Sequence, residues 1–271
     1  MRPHTSKVAA PGDEPVKRCD TPSVARSTSG ESVLSRTVRI LEAFTPDDTA
    51  LQVSEIARRA GLPLATASRL VAELVERGLL ARDGDRRVRV GVRLWELAMR
   101  ASPTLSLRDA AMPFLEDLHA VVGHHAQLGV LDGDQVLFVE RLSAPGAVIN
   151  YTRIAGRLPL HASSSGLVLL AHGSRELQER VLGGPLPGYT EHTITTPGRL
   201  RAVLADVRRT GHAFCPGHIH PAALGVAVPV RDGRGVVVAA VAAIVPNDAD
   251  GRSVVPVLMA AARGIGRAPI Q

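Results

Sequence analysis

The sequence predicts an α+β chain in two parts: a winged helix-turn-helix head, and a larger domain in which helices surround a mostly antiparallel sheet. Three observations predict it. Residues 53–90 read as helix, tight turn, helix and basic hairpin. From Ala126 onward, helical apolar spacing gives way to paired strand runs broken by Asp-Gly turns. The length of 271 residues, with 45% hydrophobic content, suits about two domains with their own cores.

Composition narrows the function classes. The formal charge is +6, and lysine occurs only at Lys7 and Lys17, so the positive charge is almost all arginine. Arginine suits phosphate and guanine contacts, although an Arg/Ala/Val/Gly-rich chain also fits a GC-rich coding bias. Aromatic residues make up 3%, which argues against a stacking platform for single-stranded nucleic acid. Cys19 and Cys215 lie in unlike contexts and predict no structural disulfide. No apolar run is long enough to span a bilayer, and none follows the basic N-terminus as a signal peptide requires. The expected location is the cytoplasm, with no membrane partner.

Residues 1–30 are rich in Pro, Ser, Thr and charge without periodicity, which predicts a disordered tail. The head is expected over 31–91. A support helix over 32–44 places Val33, Val38, Ile40, Leu41 and Phe44 mostly on one face, and Thr45-Pro46-Asp47-Asp48 breaks it. Leu51–Val53 is expected to add a third strand to the wing. The first helix of the motif, residues 54–60, takes Ser54 as its N-cap. Gly61 suits the position after that helix and Pro63 the start of the next. The second helix, 64–77, buries Ala67, Leu70, Val71 and Leu74 at helical spacing. A hairpin of 79–82 and 87–90 turns at Asp83-Gly84-Asp85.

Such a head places a helix in a major groove of double-stranded DNA and a wing against phosphates. Operator contacts are expected from Leu64, Ala65, Thr66, Ser68 and Arg69 at the start of the second helix. Arg69 can reach guanine or a phosphate, Thr66 and Ser68 can bond either, and Leu64 or Ala65 can meet a thymine methyl. Arg82, Arg86, Arg87 and Arg89 surround the wing, with Arg86 and Arg87 the chief phosphate contacts. Solvated surface charge is the alternative for each.

A linker helix is expected over 92–107. It reads as a helix over 91–99, an interruption at Ala101-Ser102-Pro103, and a clearly helical run over 107–122 carrying Ala111, Leu115, Leu118 and Val122. Leu94 and Trp95 either form a dimer seam or cover the head. The second domain spans 108–271. His124-His125 are expected to cap the preceding helix. Strands are predicted at 127–131 and 135–142, with another at 147–152. Helices are predicted at 167–171, 175–182, 197–210 and 253–264. A buried hairpin, 224–230 with 235–245, turns at Asp232-Gly233.

Within this domain His161, Ala162, Ser163, Ser164 and Ser165 lie on the turn entering a helix, where hydroxyls and free amides make an anion site. Gly225, Val226, Ala227 and residues 240–242 are expected as facing walls; a plain helix cap is the alternative. A hydrolase reading lacks a G-x-S-x-G elbow and an orienting acid, so no enzyme and no cofactor is predicted. His212, Cys215, His218 and His220 form H-x2-C-x2-H-x-H in a loop, with ligands enough for a metal but the spacing of none of the usual zinc patterns. No metal is assigned. A metal- or redox-sensing regulator remains the alternative reading.

From residue 31 onward the chain resembles the isocitrate lyase regulator (IclR) family of bacterial transcription factors. The resemblance rests on SRTVRILEAF, GLPLATASRLVAELVERGLL, VRVGVRLWELA, RLPLHASSSGLVLLA and RRTGHAFCPGHIHPAALGVAVPVRDGRGVVVAAV, five stretches in family order and spacing. It implies a winged helix joined by a helix to a GAF-like domain that binds a small effector, often a carboxylic or aromatic acid. It also implies a homodimer or dimer of dimers on a palindromic operator. The family pattern has an aromatic at Val88, a lysine at Leu167, a glutamate at His218 and a cysteine at Gly225. These departures weaken any effector assigned by analogy more than they weaken the head.

Overall fold

The computed structural model describes residues 31–45, 48–100, 103–248 and 250–268. The expected tail with Cys19, the breaker pair Pro46-Asp47 and the interruption at Ala101-Ser102 lie outside them. The chain divides into two compact units at Glu96/Leu97.

In the first unit, helices α1 (Val33–Glu42), α2 (Val53–Ala60) and α3 (Leu64–Glu76) precede a hairpin of β1 (Leu80–Arg82) and β2 (Val88–Val90). Ile40, Ile56, Leu70, Val71, Leu74, Leu80 and Val88 form its core. Ala67, Leu70, Val71 and Leu74, the residues set inward by the 3.6 period, are the buried positions of α3. Gly61 ends α2 in the left-handed region at φ 61°, as its C′ role requires.

Three expectations fail here. Helix α2 begins at Val53, and its N-cap residue Gln52 makes no side-chain cap bond, so Ser54 lies inside the first turn. The cause is Leu51, which exchanges backbone hydrogen bonds of 2.8 and 2.7 Å with Val88 and sets the chain for an immediate helix start. That single bridge replaces the third wing strand. On α1 only Ile40 is buried, while Val33 and Val38 are exposed.

Helix α4 (Val92–Arg100) follows, then α5 (Pro103–Val122), so the stretch expected as one linker helix belongs to two helices. The second unit continues with β3 (His125–Asp132), β4 (Gln135–Ser143), β5 (Arg157–Pro159), α6 (Ser164–His172), α7 (Arg175–Gly183) and α8 (Pro197–Thr210). It ends with β6 (Ala213–Pro216), β7 (Ala223–Arg231), β8 (Val237–Pro246) and α9 (Val255–Arg267). One antiparallel sheet has the order β5-β4-β3-β8-β7-β6. Its central strands are buried on both faces, which is why β7 and β8 read as continuous apolar runs. On one face Ala227, Ala240 and Ala242 belong to a core with α6, behind which α7 and α8 pack. On the other Val226, Val228, Val241 and Ala243 meet Ala111, Leu115 and Leu118 of α5 and Leu258 and Ile265 of α9.

Helix α5 ends at Gly123, whose N–H bonds the His119 carbonyl. His125 is therefore no cap. It is a buried residue of β3 that meets the Ser143 hydroxyl through Nδ1 at 2.9 Å and donates from Nε2 to the Val148 carbonyl at 2.6 Å. The strand expected at 147–152 is an extended strap outside the ladder. Arg141 donates to its Asn150 and Thr152 carbonyls, so a side chain satisfies what a neighbouring strand would have bonded. The segment expected as a His/Cys loop contains strand β6, with Cys215 paired to Gly225. The Pro216-Gly217 sequence hides so short an edge strand.

Candidate DNA interface and ligand cavity

The head positions its polar face locally. Helix α3 buries one stripe, and Leu64, Ala65, Ser68 and Arg69 stand exposed on its first turns, with Thr66 half-buried. Leu64 is 57% exposed. Arg59 ties the motif to its support: its guanidinium donates to the Ala43 carbonyl at 3.1 Å, to Asp48 at 2.8 Å and to Glu55 at 2.7 Å. Hydrogen bonds from Arg58 and then Arg59 pull the Glu55 carboxyl down to about 2.

The wing turn is built on Asp83. Its Oδ1 accepts from the Asp85 and Arg87 amides at 3.1 and 2.8 Å. The left-handed residue is Arg86, at φ 58°, and not Gly84. A non-glycine there costs about 1 kcal/mol, and the conformation carries the arginine at the tip of the hairpin. Arg86, Arg87 and Arg89 are exposed, whereas Arg82 turns a guanidinium N–H toward the Arg86 carbonyl at 3.4 Å.

In the second unit a cavity of about 40 Å³ lies between the N-terminus of α6, the strap, and the β6–β7 connection. Ala162, Ser163, Ser164 and Gly225 line it, as expected. Ser163 is the N-cap of α6 and accepts from the Gly166 amide at 3.1 Å. Gly225 permits the close approach of sheet and helix, since a Cβ there would stand 2.9 Å from the Ser164 hydroxyl. His161, Ser165, Val226 and Ala227 do not line it. His161 is buried and donates from Nε2 to the Pro187 carbonyl at 3.0 Å, and burial lowers its pKa. Val226 follows Gly225 and so faces the opposite core. Ala227 returns to the cavity side but packs into the core there.

Sequence reasoning missed Gln127, Asn150, Tyr151, Thr152 and Ile244. Gln127 accepts from Thr152 Oγ1 at 2.7 Å and Asn150 Nδ2 at 3.4 Å, joining strap to sheet. A lone glutamine in the apolar run 126–130 is the signal that could have found it.

Cys215, His218 and His220 also line the cavity, while His212 packs edge-on against Phe214 at 5.0 Å. Among the described residues no group of three or more His, Cys, Asp or Glu is placed to hold a metal. Burial raises the Cys215 thiol pKa far above its ordinary value. The Thr193 hydroxyl fixes the backbone of His218 by donating to its carbonyl at 2.6 Å, and its buried Nδ1 has no hydrogen-bond partner. Burial, then the charge of Arg199, pushes His218 down to about 4, so its imidazole is neutral at pH 7. The cavity lining thus holds hydroxyl, amide and imidazole side chains and the start of α6, and no arginine or lysine.

A helix-turn-helix head ahead of a cavity-bearing α+β domain defines a class of ligand-responsive DNA-binding proteins. The model of the IclR helix-turn-helix domain matches residues 33–84, and that of the bacterial transcriptional regulator IclR C-terminal domain matches 99–267. The chain belongs to the IclR family of transcriptional regulators. It is 30% identical to the HTH-type transcriptional regulator XynR of Escherichia coli, over 76% of this chain and 83% of that one. It is 27% identical to the transcriptional repressor IclR of E. coli, over 74% and 75%. Among solved structures, an IclR homolog from Microbacterium hydrocarbonoxydans complexed with 4-hydroxybenzoate is 49% identical. The match covers 87% of this chain and 98% of that one, with a TM-score of 0.84. Among the described residues no helix is long and apolar enough to cross a membrane.

Proposed function

We propose that the chain is a repressor whose grip on its operator is released by a small aromatic acid of the hydroxybenzoate class. The head would comprise residues 31–91, the linker 92–107 and the effector domain 108–271. The observation that carries the ligand class is the likeness, at 49% identity, to a chain crystallised with 4-hydroxybenzoate. The lining of the cavity, though not its present volume, suits such a ligand. The first-turn amides of α6 beside Ser163 and Ser164 would take the carboxylate, Ile149, Leu158 and Ile244 the ring, and neutral His218 the hydroxyl.

At about 40 Å³ the cavity is far smaller than the roughly 300–1,000 Å³ of ordinary ligand pockets. A ring therefore enters only if the strap at 147–152 shifts, and that strap is held by side-chain bonds instead of a strand ladder. Exposed Val92, Trp95, Leu97 and Met99 on α4 support a homodimer, or a dimer of dimers, as the operator-binding form. Leu94 is half-buried and contributes less.

The test is fluorescence anisotropy with intergenic DNA flanking the gene. Binding without ligand, release by 4-hydroxybenzoate, and indifference to chelator and peroxide support the reading. Release by chelator or peroxide and not by the acid would replace it with metal or redox sensing.

A further inference from the structure

A second cavity, about 370 Å³, lies beside α9 and shares no lining residue with the first. Its apolar floor includes Val228 and Met259, residues of the core between the sheet and α5 and α9. Its rim carries Arg231, Arg263 and Arg267, with Asp232 the one acid among the lining residues.

The three rim arginines form a like-charge cluster that, among the described residues, Asp232 does not pair. Arg263 and Arg267 are one turn apart on α9, an arrangement that destabilises a helix by mutual repulsion. Neither they nor Arg231 enters an ion pair among the described residues. Arg231 donates to the Gly235 carbonyl at 2.9 Å, which holds its guanidinium over the hairpin turn. Asp232 spends Oδ1 on the Arg234 and Val236 amides, both at 2.9 Å. The field of the cluster reaches inward: after burial, the charges of Arg231 and Arg208 are what lower the pKa of His172.

The walls are held together by close backbone contact. A Cβ on Gly266 would fall 2.0 Å from the Arg231 carbonyl oxygen, so only glycine lets the last turns of α9 lie on the end of β7. That contact sets Arg263 and Arg267 against Arg231. Guanidinium groups in such an array match phosphate and carboxylate oxygens, often in pairs of parallel hydrogen bonds.

We infer that this cleft is a second ligand site, separate from the effector cavity, for a small organic molecule bearing two or more negative charges. The three guanidinium groups bind its oxyanions, and the Val228–Met259 floor covers its carbon skeleton. The site does not depend on the aromatic-acid assignment.

Calorimetric titration of the full chain with pyrophosphate and with citrate, in low salt, tests it. The double variant Arg263→Gln/Arg267→Gln should weaken binding of the probes by at least about tenfold, given the strength of charge-assisted hydrogen bonds. Arg86→Gln/Arg87→Gln, in the head, should leave it unchanged. An unaltered melting temperature of the α9 variant shows that the fold is kept, and Arg231→Gln supplies a second variant outside the helix. No heat from either probe overturns the inference. So does binding that is lost with the wing arginines and kept without Arg263 and Arg267, since the anion would then sit on the DNA face.

Discussion

Arg69 and His218 are the residues we propose for base reading and for the ligand hydroxyl, and each stands out for what it lacks. Arg69 is exposed near the start of α3 and forms no ion pair among the described residues, so its charge is available to DNA. Arg69→Ala should weaken operator binding by roughly 1–3 kcal/mol if the side chain reads a base; anisotropy at fixed salt measures it, and an unchanged affinity removes that role. His218 keeps a buried nitrogen unbonded at the edge of the cavity, and a buried polar atom without a partner is costly. His218→Leu should weaken 4-hydroxybenzoate by about 0.5–1.5 kcal/mol, the worth of one neutral hydrogen bond, and benzoate little. Equal losses for both acids in calorimetry would show that His218 does not meet the hydroxyl. Position 218 was legible as a histidine among possible metal ligands, but its isolation was not. That follows from strand β6, which places Cys215 opposite Gly225 and leaves His212 against Phe214.

At the scale of elements, the wing acts as one basic unit. Arg86 and Arg87 are presented by a turn that Asp83 organises, with Arg86 in a left-handed conformation. Neutralising both should weaken all DNA sequences alike and lower the slope of log affinity against log salt by up to about 2, close to one for each phosphate that an arginine no longer neutralises. A loss confined to the cognate operator would instead make them base readers. The helix-turn-helix was readable almost residue by residue, because helix period, glycine stop and hairpin turn are local properties. The strap at 147–152 was not. Its apolar and polar pattern fits an edge strand, and only the Arg141 guanidinium, which comes from β4, explains why it leaves the ladder.

For the molecule as a whole, acid should act first on the second unit. Burial lowers the pKa of His125, His161, His172 and His218 below the ordinary value of 6.5, and that of His218 to about 4. In the unfolded chain these groups bind protons near 6.5, so the unfolded state holds more protons than the folded state below that pH, and stability falls as pH drops from 6.5 toward 4. Glu55 behaves in the same sense but over its own, lower range: its contribution to the head is complete above 4.5 and lost as pH falls toward about 2. Calorimetry between pH 7 and 4 should show the larger unit's transition moving down while the head's holds; a head transition that falls more steeply with pH than the larger unit's would contradict this. The exposed apolar residues of α4 make a prediction at the same scale. Trp95→Glu should shift the sedimenting species toward monomer if that helix carries the dimer seam.

The sequence by itself determined the helices and hairpin of the head and the family, because those rest on short-range periodicity and on motifs in fixed succession. It also placed a polar helix entrance at residues 163–165. Only the tertiary structure decided which side chains share a cavity. Strand residues alternate between two buried faces, so Gly225 looks toward α6 and Val226 away, and the apolar sequence is the same on both sides. It likewise decided that Arg231, Arg263 and Arg267 form one cluster, since Gly266 brings together a strand end and a helix end 36 residues apart, the distance from Arg231 to Arg267.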